Sequence, residues 1–390
     1  MQNHKPQNDA SYFPFHYIDS RQRFLDLVHQ TQKEGASVQI EKWMIPSKID
    51  QDLSVDLAYW APTQQTQQLL VVTSGIHGSE TYAGSAILQM FLTEVFPKLH
   101  REGLGVLLVH AMNPYGFKYH RRTTENGVNL NRNFSISGER YKRRNEDSEK
   151  MHAQFFKREK VGSIKSHLFQ HLEIKNGKAF FGDISMDQFI KAVSPGQCES
   201  AQDLEFGGKA LEPQSAKLVE KLKELIPQYQ DVVALDLHTG LGHRNRLHLL
   251  TSGSGEDLHP DLFAQLFDIE ADKDYYEYTP AAAEGFYEVH GALNTAFSDL
   301  AQPHQRVCAI TMEFGTLGHD LEAKLRSLDN LLVEHQGFYN GYNTPELAEE
   351  VQKESFERSY PQDDKWRQAV VAASRGLFQN ILSRAGAFTL

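Results

Sequence analysis

Four short stretches of nearly unbroken apolar character punctuate the chain, each ended by a polar or turn-forming residue: LLVVTS at 69–74, GVLLVHAM at 105–112, DVVALDL at 231–237 and VCAITM at 307–312. Runs of this length, rich in Val, Leu and Ile, predict strands buried on both faces, as in a parallel sheet. Two further runs, 37–45 and 53–59, alternate apolar and polar residues around a polar turn, which predicts an antiparallel hairpin at the sheet edge. Another strand is expected at 247–251. Apolar residues at helical spacing mark 20–31, 81–99, 213–226, 257–267, 321–335 and 346–385, the last interrupted near Tyr360-Pro361. The charged stretch 141–173 also predicts a long helix, and 177–208, with its two Gly-rich breaks, an irregular segment.

Strands alternating with helices predict an α/β fold, a single mostly parallel (mixed) central sheet with helices on both faces. No repeat or low-complexity linker divides the 390 residues, so one domain is expected over 1–390. Within it the reading places a loose N-terminal arm at 1–15 and a core at about 36–338. A charged helical segment is inserted at about 141–226, and helices at about 346–385 follow the core.

Composition narrows the partners. With 40 basic against 51 acidic residues the net charge is −11, which disfavours general binding to nucleic acid or an anionic membrane. Cys198 and Cys308 are the only cysteines, so neither a disulfide framework nor a thiolate zinc knot is expected. No run approaches the roughly 18 apolar residues of a membrane span, and the N-terminus lacks the pattern of a secretory signal. A soluble, cytoplasmic protein is expected.

Chemistry gathers at the strand ends. His77 and Glu80 lie in Gly75-Ile-His-Gly-Ser-Glu80, where a strand hands over to a helix; other strands lead to Asn113, His238 and Glu313. In a parallel sheet these ends share one edge, where open α/β sheets place their sites. Taken alone, His-x-x-Glu also describes a surface histidine near a helix-starting glutamate. Together, two histidines and a carboxylate suit zinc while leaving a position open for water. A further carboxylate, Glu313, can take a proton from that water and return it to a leaving group. The loop 120–133 supplies Arg121, Arg122 and Arg132, any of which could face an oxygen that gains negative charge.

These pieces run in order: G-I-H-G-S-E at 75–80, N-P-Y-G at 113–116, N-L-N-R-N-F at 129–134, D-L-H-T-G at 236–240 and M-E-F-G at 312–315. In this the chain resembles the zinc metallocarboxypeptidase (carboxypeptidase A-like) superfamily, in a bacterial branch close to the succinylglutamate desuccinylase/aspartoacylase group. The resemblance implies a carboxypeptidase-like (phosphorylase/hydrolase-like) fold and one Zn2+ per chain, held by His77, Glu80 and His238. It implies Glu313 as general base and acid, and Arg121 as the arginine that polarises the carbonyl, with Arg122 a near-equal candidate. Asn131 and Arg132 match the pair that grips a substrate's terminal carboxylate. Tyr287 is the matching tyrosine over the substrate, with Tyr275, Tyr276 and Tyr278 competing. Position 129 departs from the pattern: it is Asn where the family has Asp behind the first zinc histidine, so weaker zinc retention or altered water acidity is expected.

The implied activity is cleavage of an amide bond next to a free carboxylate, carboxypeptidase-like, on a small peptide. The alternative is deacylation of an N-acyl amino acid. A non-catalytic binding protein on the same fold is a third reading, and Asn129 is its sequence support. No nucleic-acid or membrane partner is expected.

Overall fold

Each apolar run became a strand of one sheet. A computed structural model describes residues 9–65, 67–251, 258–279 and 289–388. Eleven strands form among them: β1 (Gln39–Met44), β2 (Ser54–Trp60), β3 (Gln68–Ser74), β4 (Leu104–His110), β5 (Leu172–Lys175), β6 (Lys178–Phe181), β7 (Ile184–Ser185), β8 (Asp231–Gly240), β9 (Leu247–Leu250), β10 (Tyr276–Thr279) and β11 (Arg306–Gly315). Eight make the central sheet, in the order β1-β2-β4-β3-β8-β11-β9-β10.

The middle strands β4, β3, β8 and β11 are mutually parallel. The expected hairpin β1–β2 joins antiparallel at one edge. At the other edge β9 runs antiparallel to β11, and β10, in a stretch expected as loop, runs parallel to β9. The fold is therefore α/β with a mixed, centrally parallel sheet.

Both faces of the middle strands are covered, since every residue of β4 and all but the first of β3 are buried. That accounts for continuous rather than alternating hydrophobicity in these runs. The helix Thr81–Met90 follows the first site motif and is buried over all ten residues. It lies between the helices Tyr17–Lys33 and Asp364–Arg384. A helix with no solvent face has no polar stripe to preserve, and TYAGSAILQM shows none.

Two expectations are corrected. The stretch 141–173 is not one long helix. Only Glu146–Phe155 is α-helical, started by the Asn145 side chain accepting from Ser148 N–H at 3.0 Å. Just Ser148, His152 and Phe155 of it are buried, too narrow an apolar stripe to carry the helix further. The chain then pairs Val161 with Tyr342 and builds a separate antiparallel sheet, β5-β6-β7, in which Ala179 and Phe181 alternate inward. Phe155, Phe181, Phe189 and Leu204 form a second apolar cluster against Leu325 and Leu332 of the helix Leu321–Asn340.

Nor are residues 9–13 a loose arm. Tyr12 and Phe13 are buried, Phe13 stacks on Tyr360, and Asp9 pairs with Arg375 at 2.7 Å. Two aromatics in a short polar segment are enough to anchor it.

Candidate metal centre

The turn that carries His77 and Glu80 is shaped by close backbone contact. Gly75 ends β3 at a φ of +79°, where a side chain would strain the turn and meet Thr81 Oγ1 at 2.6 Å. A Cβ on Gly78 would lie 2.2 Å from the Gly116 carbonyl carbon, so Gly75–Glu80 and the Asn-Pro-Tyr-Gly turn lie backbone to backbone. Asn113 accepts from Gly116 N–H at 2.8 Å and donates to the Arg122 carbonyl at 3.1 Å. Gly78 N–H and Ser79 N–H donate to the carbonyls of Arg122 and Arg121. These bonds hold the Arg121-Arg122 segment alongside the centre.

Three side chains meet there. His77 Nδ1 is 2.9 Å from Glu80 Oε1, His238 Nδ1 is 3.1 Å from Glu80 Oε2, and the two Nδ1 atoms are 3.2 Å apart. Their outer nitrogens decide what the inner ones carry. His238 Nε2–H donates to Asp236 Oδ2 at 2.6 Å, and Asp236 also accepts from Thr73 Oγ1–H at 2.6 Å. His77 Nε2–H donates to Asn129 Oδ1 at 3.1 Å. The Asn129 amide is held in that orientation, since its Oδ1 also accepts from Asn131 N–H and its Nδ2 donates to Glu205. With the outer nitrogens protonated, the two Nδ1 atoms turned toward the Glu80 carboxylate are left to a proton or an ion. Three acceptors in mutual contact inside the protein need a positive charge between them. Two nitrogens and an oxygen so arranged fit the donor set of a divalent ion such as zinc.

The electrostatics agree. Burial, with Arg122 nearby, pushes His77 down to about 4, so the ring is neutral. Burial opposes charge on His238 as well, yet Asp236 and Glu80 raise its pKa well above the histidine range. Glu80, despite its burial, is held well below the carboxylate range by His77 and His238. One positive charge can therefore stay at the centre as the His238 imidazolium. Beside it, Glu313 on β11 is in register with His238 on β8 and accepts from Leu241 N–H at 2.9 Å. Burial, reinforced by the charge of Glu80, pushes Glu313 up to about 7.

The other predicted residues divide. The Arg121 guanidinium is bound to Glu334, donates to Thr123 and lies over the Phe338 ring at 3.6 Å. Arg122, the next residue, is 3.4 Å from Glu205 and acts electrostatically on His77 and Glu313. Arg132 is buried, 3.2 Å from Glu205, and donates to the Ser194 and Asn131 carbonyls. Asn131 Oδ1 accepts from Leu293 N–H at 3.0 Å. Tyr287 lies outside the described residues. Of the competing tyrosines, Tyr276 donates to Asp272 at 3.1 Å, Tyr278 packs on Phe263, and Tyr275 lies against Gly376.

Glu205 is the site residue that sequence reasoning missed. It sits in the inserted segment at a φ of +56°, its side chain 9% exposed, and binds Asn129, Arg122 and Arg132. Burial works against its charge, but Arg122 and Arg132 hold it down to about 2. One signal was present: Glu-Phe-Gly occurs at 205–207 as well as at 313–315.

A second group, His243, His248 and Glu277, also brings three donor atoms together, but with different chemistry. His248 Nε2 accepts from His243 N–H at 2.9 Å, which leaves the proton on Nδ1, facing Glu277. Arg246 pairs with the same carboxylate at 3.2 Å. A ring already protonated on the inner side, beside a neutralised carboxylate, is an ordinary ion-pair cluster and fits a metal poorly.

The chain resembles several solved structures along most of its length. Bovine thrombin-activatable fibrinolysis inhibitor, solved with a tick carboxypeptidase inhibitor, is 12% identical, with 96% of this chain and 99% of that chain covered and a TM-score of 0.49. Carboxypeptidase A from Helicoverpa armigera is 14% identical, with coverage of 92% and 74% and a TM-score of 0.46. A succinylglutamate desuccinylase from a Silicibacter species is 14% identical, with coverage of 92% and 69% and a TM-score of 0.41. No curated protein matches the chain. Among the described residues no helix is long and apolar enough to cross a membrane. One family model, described as "Protein of unknown function (DUF2817)", matches residues 13–373, and the chain belongs to that family.

Proposed function

We propose that this chain is a zinc-dependent hydrolase that cleaves an amide bond next to a free carboxylate, in the manner of a carboxypeptidase. The observation that carries the reading is the convergence of ligand atoms from His77, His238 and Glu80, with the raised carboxyl of Glu313 beside them. When bound by those three residues, a zinc ion would supply a Lewis acid for a carbonyl oxygen and acidify water. Glu313, near neutrality in affinity for protons, would take a proton from attacking water and deliver it to the departing nitrogen. Arg122 takes the part first expected of Arg121, donating to the oxygen on which charge develops. Arg122 and Arg132 both pair with Glu205 beside the centre, and their planar guanidinium groups are of the type that would hold a substrate carboxylate.

A second reading, deacylation of a small N-acyl amino acid, has its own support in burial. The side chains of His77, Glu80 and His238 are only 2–6% exposed, which favours a compact substrate over a long peptide. Both readings are tested by incubating zinc-loaded protein with a panel of short peptides and N-acyl amino acids, with Glu313→Gln as control. Hydrolysis of peptides, lost in the control, supports the carboxypeptidase reading. Hydrolysis confined to N-acyl amino acids supports the second, and no hydrolysis of either sinks both.

A further inference from the structure

The two histidines of the centre are backed in different ways. Behind His238 the carboxylate of Asp236 is in direct contact at 2.6 Å. Behind His77 stands a neutral amide, Asn129, at 3.1 Å, and only behind that amide comes a carboxylate, Glu205, 2.5 Å from Asn129 Nδ2. The three groups form one chain: His77 Nε2–H donates to Asn129 Oδ1, and Asn129 Nδ2–H donates to Glu205 Oε2. An amide whose N–H is held by an anion carries more negative charge on its oxygen, because hydrogen bonds in series polarise one another. We infer that Glu205 is a positioning residue that supplies His77 with its backing charge through Asn129, the counterpart of Asp236 behind His238. Position 129 is neutral because position 205 is charged: two ionised carboxylates 2.5 Å apart would repel, and one would have to take a proton.

The surroundings hold the relay in place. Glu205 is fixed by Arg122 and Arg132 as well as by Asn129, and its segment is tied to the site by Asn129 N–H donating to the Phe206 carbonyl at 2.8 Å. Gly207 lets that segment approach, since a Cβ there would lie 2.3 Å from the Arg132 carbonyl oxygen. The inserted segment thus contributes a charge to a centre whose other parts come from the sheet. This inference rests on His77, Glu80 and His238 holding a divalent ion, and its test separates the two claims.

The test is zinc affinity, measured by competition with a chromophoric chelator, for the full chain and for Glu205→Gln, Asn129→Asp and the double variant Asn129→Asp/Glu205→Gln. The expected result is a loss of about ten-fold or more in Glu205→Gln, the usual scale for removing an outer partner of a ligating histidine. The double variant, with the carboxylate moved directly onto His77, regains affinity to near that of the unaltered chain. Asn129→Asp alone, with two facing carboxylates, melts at a lower temperature than either the unaltered chain or the double variant. Unchanged affinity in Glu205→Gln, or a double variant no better than that single one, overturns the inference. Should Glu205→Gln not fold, the double variant decides: affinity like the unaltered chain supports the relay, and weak affinity or failure to fold ends it. No zinc binding by the unaltered chain would instead overturn the metal reading beneath it.

Discussion

At the scale of single residues the centre is a matter of which nitrogen carries the proton. Asp236 and Asn129 hold the outer nitrogens of His238 and His77, so the inner ones are left to an ion or to a single proton. Because Asp236 and Glu80 hold a proton on His238 well above the ordinary histidine range, zinc must displace it on binding at neutral pH. Calorimetry in buffers of different ionisation enthalpy should therefore show about one proton released per ion, with affinity falling about ten-fold per pH unit on acidification. Proton-neutral uptake would contradict the assignment. The arginines give a second residue-scale contrast. Arg122→Ala should lower kcat/KM about a hundred-fold or more with little effect on folding. Arg121→Ala strands the buried Glu334 carboxylate and should cost about 3–5 kcal/mol of stability, while the molecules still folded remain active. Urea melts beside initial rates distinguish the two. Glu313→Gln should reduce kcat by about a hundred- to ten-thousand-fold and leave zinc content unchanged.

Elements act through the contacts between their ends. The turn 75–80 and the turn 113–116 touch backbone to backbone at Gly78 and Gly116, and this contact sets where His77, Glu80 and the Arg121-Arg122 segment stand. Gly78→Ala should push the turns apart, with a loss of about 1–3 kcal/mol in stability and weaker zinc retention. A thermal melt and a chelator competition check it, and a variant with native zinc affinity would show that the contact is not needed. On the sheet, register does similar work. His238, Glu313, His248 and Glu277 form one row across β8, β11, β9 and β10, so Glu313, the proposed base, stands next to His238, a proposed zinc ligand, by strand pairing alone. The motif Met-Glu-Phe-Gly made Glu313 legible as a candidate. The pairing that seats it beside His238 was not, because strand order is set by which faces pack together over long sequence separations.

For the whole molecule, buried neutral histidines set the response to acid. Burial pushes His110 down to about 4 and His335, also facing Arg121, to about 3. An unfolded chain takes up these protons near pH 6.5, the folded chain only well below it. Stability contributed by the two groups is thus complete above about pH 6.5 and is lost as the pH falls toward 4 and then 3, by on the order of 3 kcal/mol for His110 and about 5 kcal/mol for His335. Urea unfolding between pH 7 and 4 should show the fall, and His335→Phe should lessen it. A flat profile would mean that these rings charge inside the fold. The same scale contains the inserted segment, which has its own apolar cluster against Leu325 and Leu332 and brings Glu205 into the site.

The sequence by itself determined the four buried strands, the edge hairpin, the α/β class and the gathering of His77, Glu80, His238 and Glu313 at one sheet edge. These follow from local periodicity and from strands ending in polar residues, properties that neighbouring positions carry among themselves. Only the tertiary structure decided that Arg122 pairs with Glu205 while Arg121 pairs with Glu334, that the charged stretch after 141 breaks into a short helix and a small sheet, and that Tyr12 and Phe13 belong to the core. Glu205 belongs with these, because a carboxylate reaches Asn129 from 76 positions away only by the packing of one segment on another. Periodicity records what a residue does for its own element, and the partner of a buried charge is chosen by the fold.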